Sequence, residues 1–188
     1  EEPQSGLWSP ADREKEVARA GYYSVPLTRY GIKAEITATA RTGVHRYTFP
    51  ASQEAAIVFD LENGGCWDRT TDCHIEAVSN NRIAGYRHSR GWAAAQRVYF
   101  VAEMSKPFHK FELHGRNNMY GRASFTTKEG EQIVLRVGIS PVSIEGAKLA
   151  MEKELPGWDF AAVQAAANDN WEKELARVKI ETADKERK

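Results

Sequence analysis

The side chains best suited to chemistry in this 188-residue sequence stand apart from one another, and each must be judged by its neighbours. Glu103 interrupts the apolar run Val98 to Met104. A carboxylate in such surroundings must be paired or hold its proton. It is therefore a general acid or half of a buried ion pair with an arginine such as Arg87 or Arg97. With no second carboxylate beside it, the pattern favours the ion pair. His109 and His114 in FHKFELHG point to opposite faces of a strand, so they cannot chelate one ion without a bulge. His45 in VHRYTF and His88 in YRHS occupy alternating strand positions, where structural partners are readily supplied. Cys66 and Cys73 flank the polar segment WDRTTD, a placement in which a hairpin can bring two sulfurs within bridging distance. The alternative is two unrelated thiols. A zinc site lacks ligands, because no CxxC or paired histidines stand near. Trp67 in that loop and Trp92 in SRGWA are the tryptophans placed to offer a ring face to a ligand. GYR, GWA and GRA lack the spacing of a nucleotide-binding glycine loop, and no nucleophile elbow is present.

The elements that must position these residues read as all-β through most of the chain. Segments rich in Val, Ile, Thr, Tyr and Phe, separated by turn residues, predict strands over 22–30, 32–40, 44–49, 55–61, 73–79, 82–89, 97–105, 108–115, 119–127 and 132–140. About ten strands form an antiparallel two-sheet β-sandwich. Ile32, Ala34, Ile36 and Ala38 alternate with Lys33, Glu35, Thr37 and Thr39, which predicts one wet face. Val98 to Met104 reads as a central strand covered on both faces. Asn80 and Asn81 suit a two-residue hairpin turn, as do Glu129 and Gly130. Beyond Pro141 the apolar period lengthens to that of a helix. Ser143 caps one helix, which Pro156 and Gly157 end. Asp159 caps a second, whose stripe of Phe160, Val163, Ala167, Trp171, Leu175 and Val178 must be buried. Trp158 and Trp171 are expected to pack helix against sheet. The expected organisation is a sandwich over 1–141 lacking some of its first strands, two linker helices over 142–180 and a charged tail over 181–188.

Lys+Arg and Asp+Glu both number 26, so the formal net charge is zero and no long-range field gathers nucleic acid or an anionic membrane. No apolar run approaches the roughly 20 residues of a membrane-spanning helix.

Six stretches, GYYSV (21–25), YGIKAEITATARTGVHRYTFP (30–50), IAGYRHSRGWA (83–93), VYFVAEMSKPF (98–108), GEQIVLRVGISPVSIEGAK (130–148) and PGWDF (156–160), together resemble the N-terminal domain of glycoside hydrolase family 92. These are calcium-dependent α-mannosidases. The resemblance implies a β-sandwich joined by helices to an (α/α)6 catalytic barrel, and removal of mannose from glycans with inversion. Inversion needs one carboxylic acid on the leaving oxygen and one carboxylate activating water on the opposite face. The resemblance puts both, with most of the calcium ligands, in the barrel, so neither a catalytic nor a metal residue is assigned to this chain. Its partners would be that barrel and mannose-containing glycans, in an extracytoplasmic setting: periplasmic, cell surface or secreted. Calcium belongs to the parent protein, and no cofactor is expected in this portion. The candidate sugar contacts are Trp92, His88 and Trp67. Two other readings stay open, a carbohydrate-binding module and a scaffold without a ligand.

Overall fold

The computed structural model describes residues 8–63 and 67–178. Eleven strands run in chain order: β1 (Val17–Arg19), β2 (Tyr22–Leu27), β3 (Ile32–Ala38), β4 (Thr42–Phe49), β5 (Ser52–Asp60), β6 (Arg69–Ala77), β7 (Arg82–Arg90), β8 (Gln96–Met104), β9 (Lys110–His114), β10 (Tyr120–Thr127) and β11 (Glu131–Ser140). Two helices follow, α1 (Ile144–Glu154) and α2 (Phe160–Leu175). Eight strands form one sheet in the order β1-β2-β3-β4-β11-β8-β7-β6, and β5-β10-β9 form a second. Every pairing is antiparallel. This is the expected β-sandwich, with sheets of very unequal width.

The core lies between the sheets. Phe49, Ile133, Leu135, Phe100, Ala102, Met104 and Ile83 face inward from the large sheet and meet Ala55, Ile57, Ala123 and Phe125 from the small one. Successive side chains on a strand point to opposite faces, so this set fixes which residues lie outside. The outer face of the large sheet is where the helices sit. Ala147 and Met151 of α1 pack on Val101 and Ala84, and Phe160 of α2 packs near Val44, Val134 and Tyr22. Gly138 of β11 permits the close approach of α1: a Cβ there would stand 2.2 Å from the Ala147 carbonyl oxygen. Both helices start as predicted. The Ser143 hydroxyl accepts from Gly146 N–H and the Asp159 carboxylate from Ala162 N–H, each satisfying one otherwise unpaired donor.

Covering the outer face corrects the expectation that β3 has a wet side. Glu35 and Thr37 are buried, because α2 lies across them. Glu35 survives there through its partners: Arg46 donates two hydrogen bonds of 2.9 Å, and the Tyr22 hydroxyl donates one of 2.7 Å. These contacts, the arginine's above all, hold its carboxyl down to about 2 against the opposing effect of burial. The Arg46 guanidinium in turn lies 4.3 Å from the Phe160 ring centroid, so the ion pair is also a seat for α2. Glu154 of α1 is fastened similarly, accepting from the Thr39 hydroxyl, Arg41 N–H and Arg41 Nε.

Glu103 is half of an ion pair, with partners other than those expected. Arg82 Nη2 stands 2.9 Å and Arg136 Nη2 3.2 Å from Oε2. Both are its direct cross-strand neighbours. Arg87 projects from the opposite face of β7 and binds Asp68 at 2.7 Å, while Arg97 lies six residues along the strand, about 20 Å away. Arg136 also donates to the Leu155 carbonyl and lies under Trp158, 4.3 Å from its centroid. The turn between the helices is thereby clamped to the sheet.

Other expectations need correction. The segment after Trp67 is not a loop up to Cys73: β6 begins at Arg69, with a bulge between Thr70 and Asp72, because its threonines suit a pleated strand. Asn80 and Asn81 form no positive-φ turn; the hairpin closes through Val78 and Ser79 N–H groups bonding to Arg82 O. Val98, the first residue of the apolar run, is exposed, since neither the small sheet nor α1 reaches it. The α2 stripe is buried at Phe160 and Ala167, whereas Trp171, Leu175 and Val178 are exposed. Trp171 keeps about half of its surface exposed and lines a shallow cleft with Tyr22, Ile36 and Thr37 of the sheet, while Trp158 packs on Arg136.

Candidate sugar-facing end of the large sheet

Among the described residues, the β7-β8 hairpin projects the most exposed of the large hydrophobic rings. Its last pairs are His88 with Arg97 and Ser89 with Gln96, and the connecting loop carries Trp92, 90% exposed. Trp67, also exposed, precedes β6 on a neighbouring loop. The two loops touch. A Cβ on Gly91 would stand 2.8 Å from the Asp68 Cα, so only glycine lets the backbones approach this closely. Arg87 locks the contact by binding both oxygens of Asp68, at 2.7 and 3.3 Å, and the Leu61 carbonyl at 2.9 Å. The guanidinium holds the Asp68 carboxyl below the usual carboxylate range. Trp67 and Trp92, 25 residues apart in sequence, therefore flank one fixed backbone contact.

Behind this tip the outer face of the sheet carries a cluster of rings. His88 stacks on Tyr86 with centroids 4.6 Å apart and meets Tyr99 edge-on at 5.7 Å. His74 completes the row, 6.0 Å from Tyr86. His88 Nδ1 lies 3.5 Å from Asp72 Oδ2, brought there by the β6 bulge. Burial, with Asp72 nearby, raises the Tyr86 hydroxyl above its ordinary pKa. His88 Nε2 is buried without a hydrogen-bond partner among the described residues. An orphaned ring nitrogen costs free energy, on the order of 1–3 kcal/mol, until it finds one. The tip and the cluster together offer ring faces and a phenol edge, a set suited to holding a polyhydroxylated ring.

Glu35 and Glu103 are the buried carboxylates of the described residues, and arginines saturate both. Guanidinium donors take up their oxygens, whereas glycoside cleavage needs a carboxyl group aimed at the substrate. His109 and His114 are exposed. His45 faces the inter-sheet side, its Nδ1 2.8 Å from the Tyr47 hydroxyl at the wall of a cleft of about 500 Å3, and burial lowers its pKa. Among the described residues no three His, Cys, Asp or Glu side chains group to hold a metal. Cys66 lies outside the described residues, and with it the proposed pairing; Cys73 is half-buried against the core, its thiol pKa raised chiefly by desolvation. Reading the sequence alone missed Tyr86, Tyr99 and Asp72. The alternation of Tyr86 and His88 in GYRHS was the available signal, since period two puts both on one face.

Residues 1–140 match the model of the glycosyl hydrolase family 92 N-terminal domain. The chain belongs to glycosyl hydrolase family 92. Residues 146–188 match the model of the family 92 catalytic domain, a match that begins inside α1 and takes in α2. Among solved structures, a family GH92 alpha-mannosidase from Bacteroides thetaiotaomicron is similar over 94% of this chain and 26% of its own, at 32% identity and a TM-score of 0.85. That protein has also been solved in complex with mannoimidazole. A family GH92 inverting mannosidase from Bacteroides thetaiotaomicron VPI-5482 is similar over 92% of this chain and 24% of its own, with 22% identity and a TM-score of 0.79, a likeness of fold. The family 92 chain described here thus spans about a quarter of the length of these relatives. No curated protein matches it in sequence.

Proposed function

We propose that this chain is the non-catalytic sandwich domain of an α-1,2-mannosidase-like glycoside hydrolase, which removes mannose from glycans with inversion. In this reading Trp92, Trp67 and His88 line one wall of the parent's sugar site. The observation that carries it is a shared face. The helices matching the catalytic-domain model rest on the outer face of the large sheet, and the His88 cluster lies on that same face, four residues from Trp92. A catalytic domain growing from α2 would meet that end of the sheet, and binding sites are frequent at such domain junctions. The exposed Trp171, Leu175 and Val178 fit the same picture as contacts for the remainder of that domain.

In the parent protein the acid, the base and the calcium ion belong to the catalytic domain. The described residues of this chain bring no three His, Cys, Asp or Glu side chains together for a calcium ion. An extracytoplasmic setting is part of the same proposal, as are mannose-bearing glycans as ligands. The test is kinetic. The 188-residue chain alone should not turn over an α-mannoside, and turnover by it would overturn the division of labour. In the parent, Trp92→Ala should lower kcat/KM about 10-fold or more through lost stacking, while the exposed position leaves the melting temperature nearly unchanged. An unaltered kcat/KM would remove Trp92 from the site.

A further inference from the structure

We propose a second sugar-binding groove at the opposite end of the sandwich, built by Trp8 and Tyr30 and independent of the Trp92 tip. Trp8 and Tyr30 are exposed rings that line one groove of about 530 Å3, within the roughly 300–1,000 Å3 usual for small-molecule sites. The groove opens beside Phe49 and Pro50, where β4 ends, whereas the Trp92 hairpin stands at the end where β4 begins. Followed along the register from the Phe49–Glu131 pair to the Ser140–Tyr99 pair and on to Gln96, the two are twelve residue steps apart, about 40 Å.

The rings are held in place. Arg29 lies between them, its guanidinium carbon 5.5 Å from the Trp8 centroid and 5.7 Å from that of Tyr30. Four hydrogen bonds tie their segments together: Arg29 Nη1 to Trp8 O, Arg29 N–H to the Ser9 hydroxyl, and the Thr28 amide and hydroxyl to Pro10 O. Surface rings fixed in this way lose little freedom when a ligand arrives. The other wall of the groove is polar. Glu54 and Arg122 line it, and Arg122 is itself set by hydrogen bonds to the Ser124 hydroxyl and the Glu54 carbonyl.

Ring faces on one side, with a carboxylate acceptor and guanidinium donors on the other, match a pyranose, which has an apolar face and a rim of hydroxyls. An acidic or basic ligand fits less well, because the wall carries one charge of each sign. A site about 40 Å from the Trp92 tip could hold one part of an extended glycan while another part reaches the first site, raising its effective concentration there.

The probe is methyl α-D-mannopyranoside, titrated into the isotope-labelled 188-residue chain and followed by amide chemical shifts. The background is Trp92→Ala, which removes the tip as a site. Amides of 27–32 and 52–58 should shift and saturate with a half-point on the order of 1 mM, as expected for a ligand of this size. Tyr30→Ala should weaken binding at least 10-fold, Glu54→Gln should weaken it less, and both variants should melt near the parent temperature because the positions are exposed. Absence of saturating shifts at those amides up to about 50 mM, a range that reaches well past the expected half-point, would overturn the proposal. So would saturation that Tyr30→Ala leaves intact. Either failure leaves the role of Trp92 standing, since that rests on the kinetics of the parent.

Discussion

Replacing Glu35 with glutamine should destabilise the protein strongly at neutral pH and much less in acid. The carboxylate is 3% exposed at the residue level, receives two hydrogen bonds from Arg46 and one from Tyr22, and lies 3.2 Å from Lys33 Nζ. Its pKa falls from 4.5 to about 2 on folding. A depressed carboxylate contributes stability above its unfolded pKa and loses it as pH falls toward the folded value. The shift is worth roughly 3 kcal/mol at pH 7, of which about 2 is gone by pH 3. Glutamine keeps the shape but leaves Arg46 without its counter-charge beneath Phe160. Urea unfolding of both chains at pH 7 should therefore show a deficit of about 3 kcal/mol, or roughly 6–12 °C in melting temperature for a chain of this size. At pH 3 the deficit should shrink to about 1 kcal/mol. Amide exchange in the first turns of α2 should speed up in parallel, because Arg46 seats that helix. Equal deficits at pH 7 and pH 3, or one below about 1 kcal/mol at pH 7, would refute the reasoning that ionisation of Glu35 holds α2 on the sheet.

Two further outcomes can be checked by the same denaturation assay. Glu103→Gln should cost about 3 kcal/mol or more, since it strips two arginines of their partner, whereas Arg82→Gln should cost about 1 because Arg136 still satisfies the carboxylate; equal costs would mean the network is not shared. Gly138→Ala should cost about 2–4 kcal/mol by forcing α1 away from β11, with more solvent exposure at Met151; a neutral result would show that α1 sits less tightly than the 2.2 Å approach requires.

The strands were legible because antiparallel sheets write their faces into period-two alternation. Ile133, Leu135 and Val137, or Phe100, Ala102 and Met104, announce an inner face without knowledge of what lies opposite. The helix starts were legible for a local reason too: Ser143 and Asp159 bond to amides three residues on. The six family stretches likewise lie within short windows. What the sequence could not supply was the identity of partners across strands. Alternation marks Glu35 as outward but does not say that α2, more than 120 residues later, returns to cover it. The run around Glu103 demanded an arginine, yet only the β7-β8-β11 register selects Arg82 and Arg136 over Arg87 and Arg97. The candidate site shows the same division. Trp67 and Trp92 could be named from type and loop position and His88 from its strand segment, but their gathering at one end depends on Gly91 meeting Asp68 and on Arg87 fastening the two loops. Local periodicity and capping are properties of a segment and survive in the sequence; register, sheet order and helix docking are set by long-range packing, and only the tertiary structure decides them.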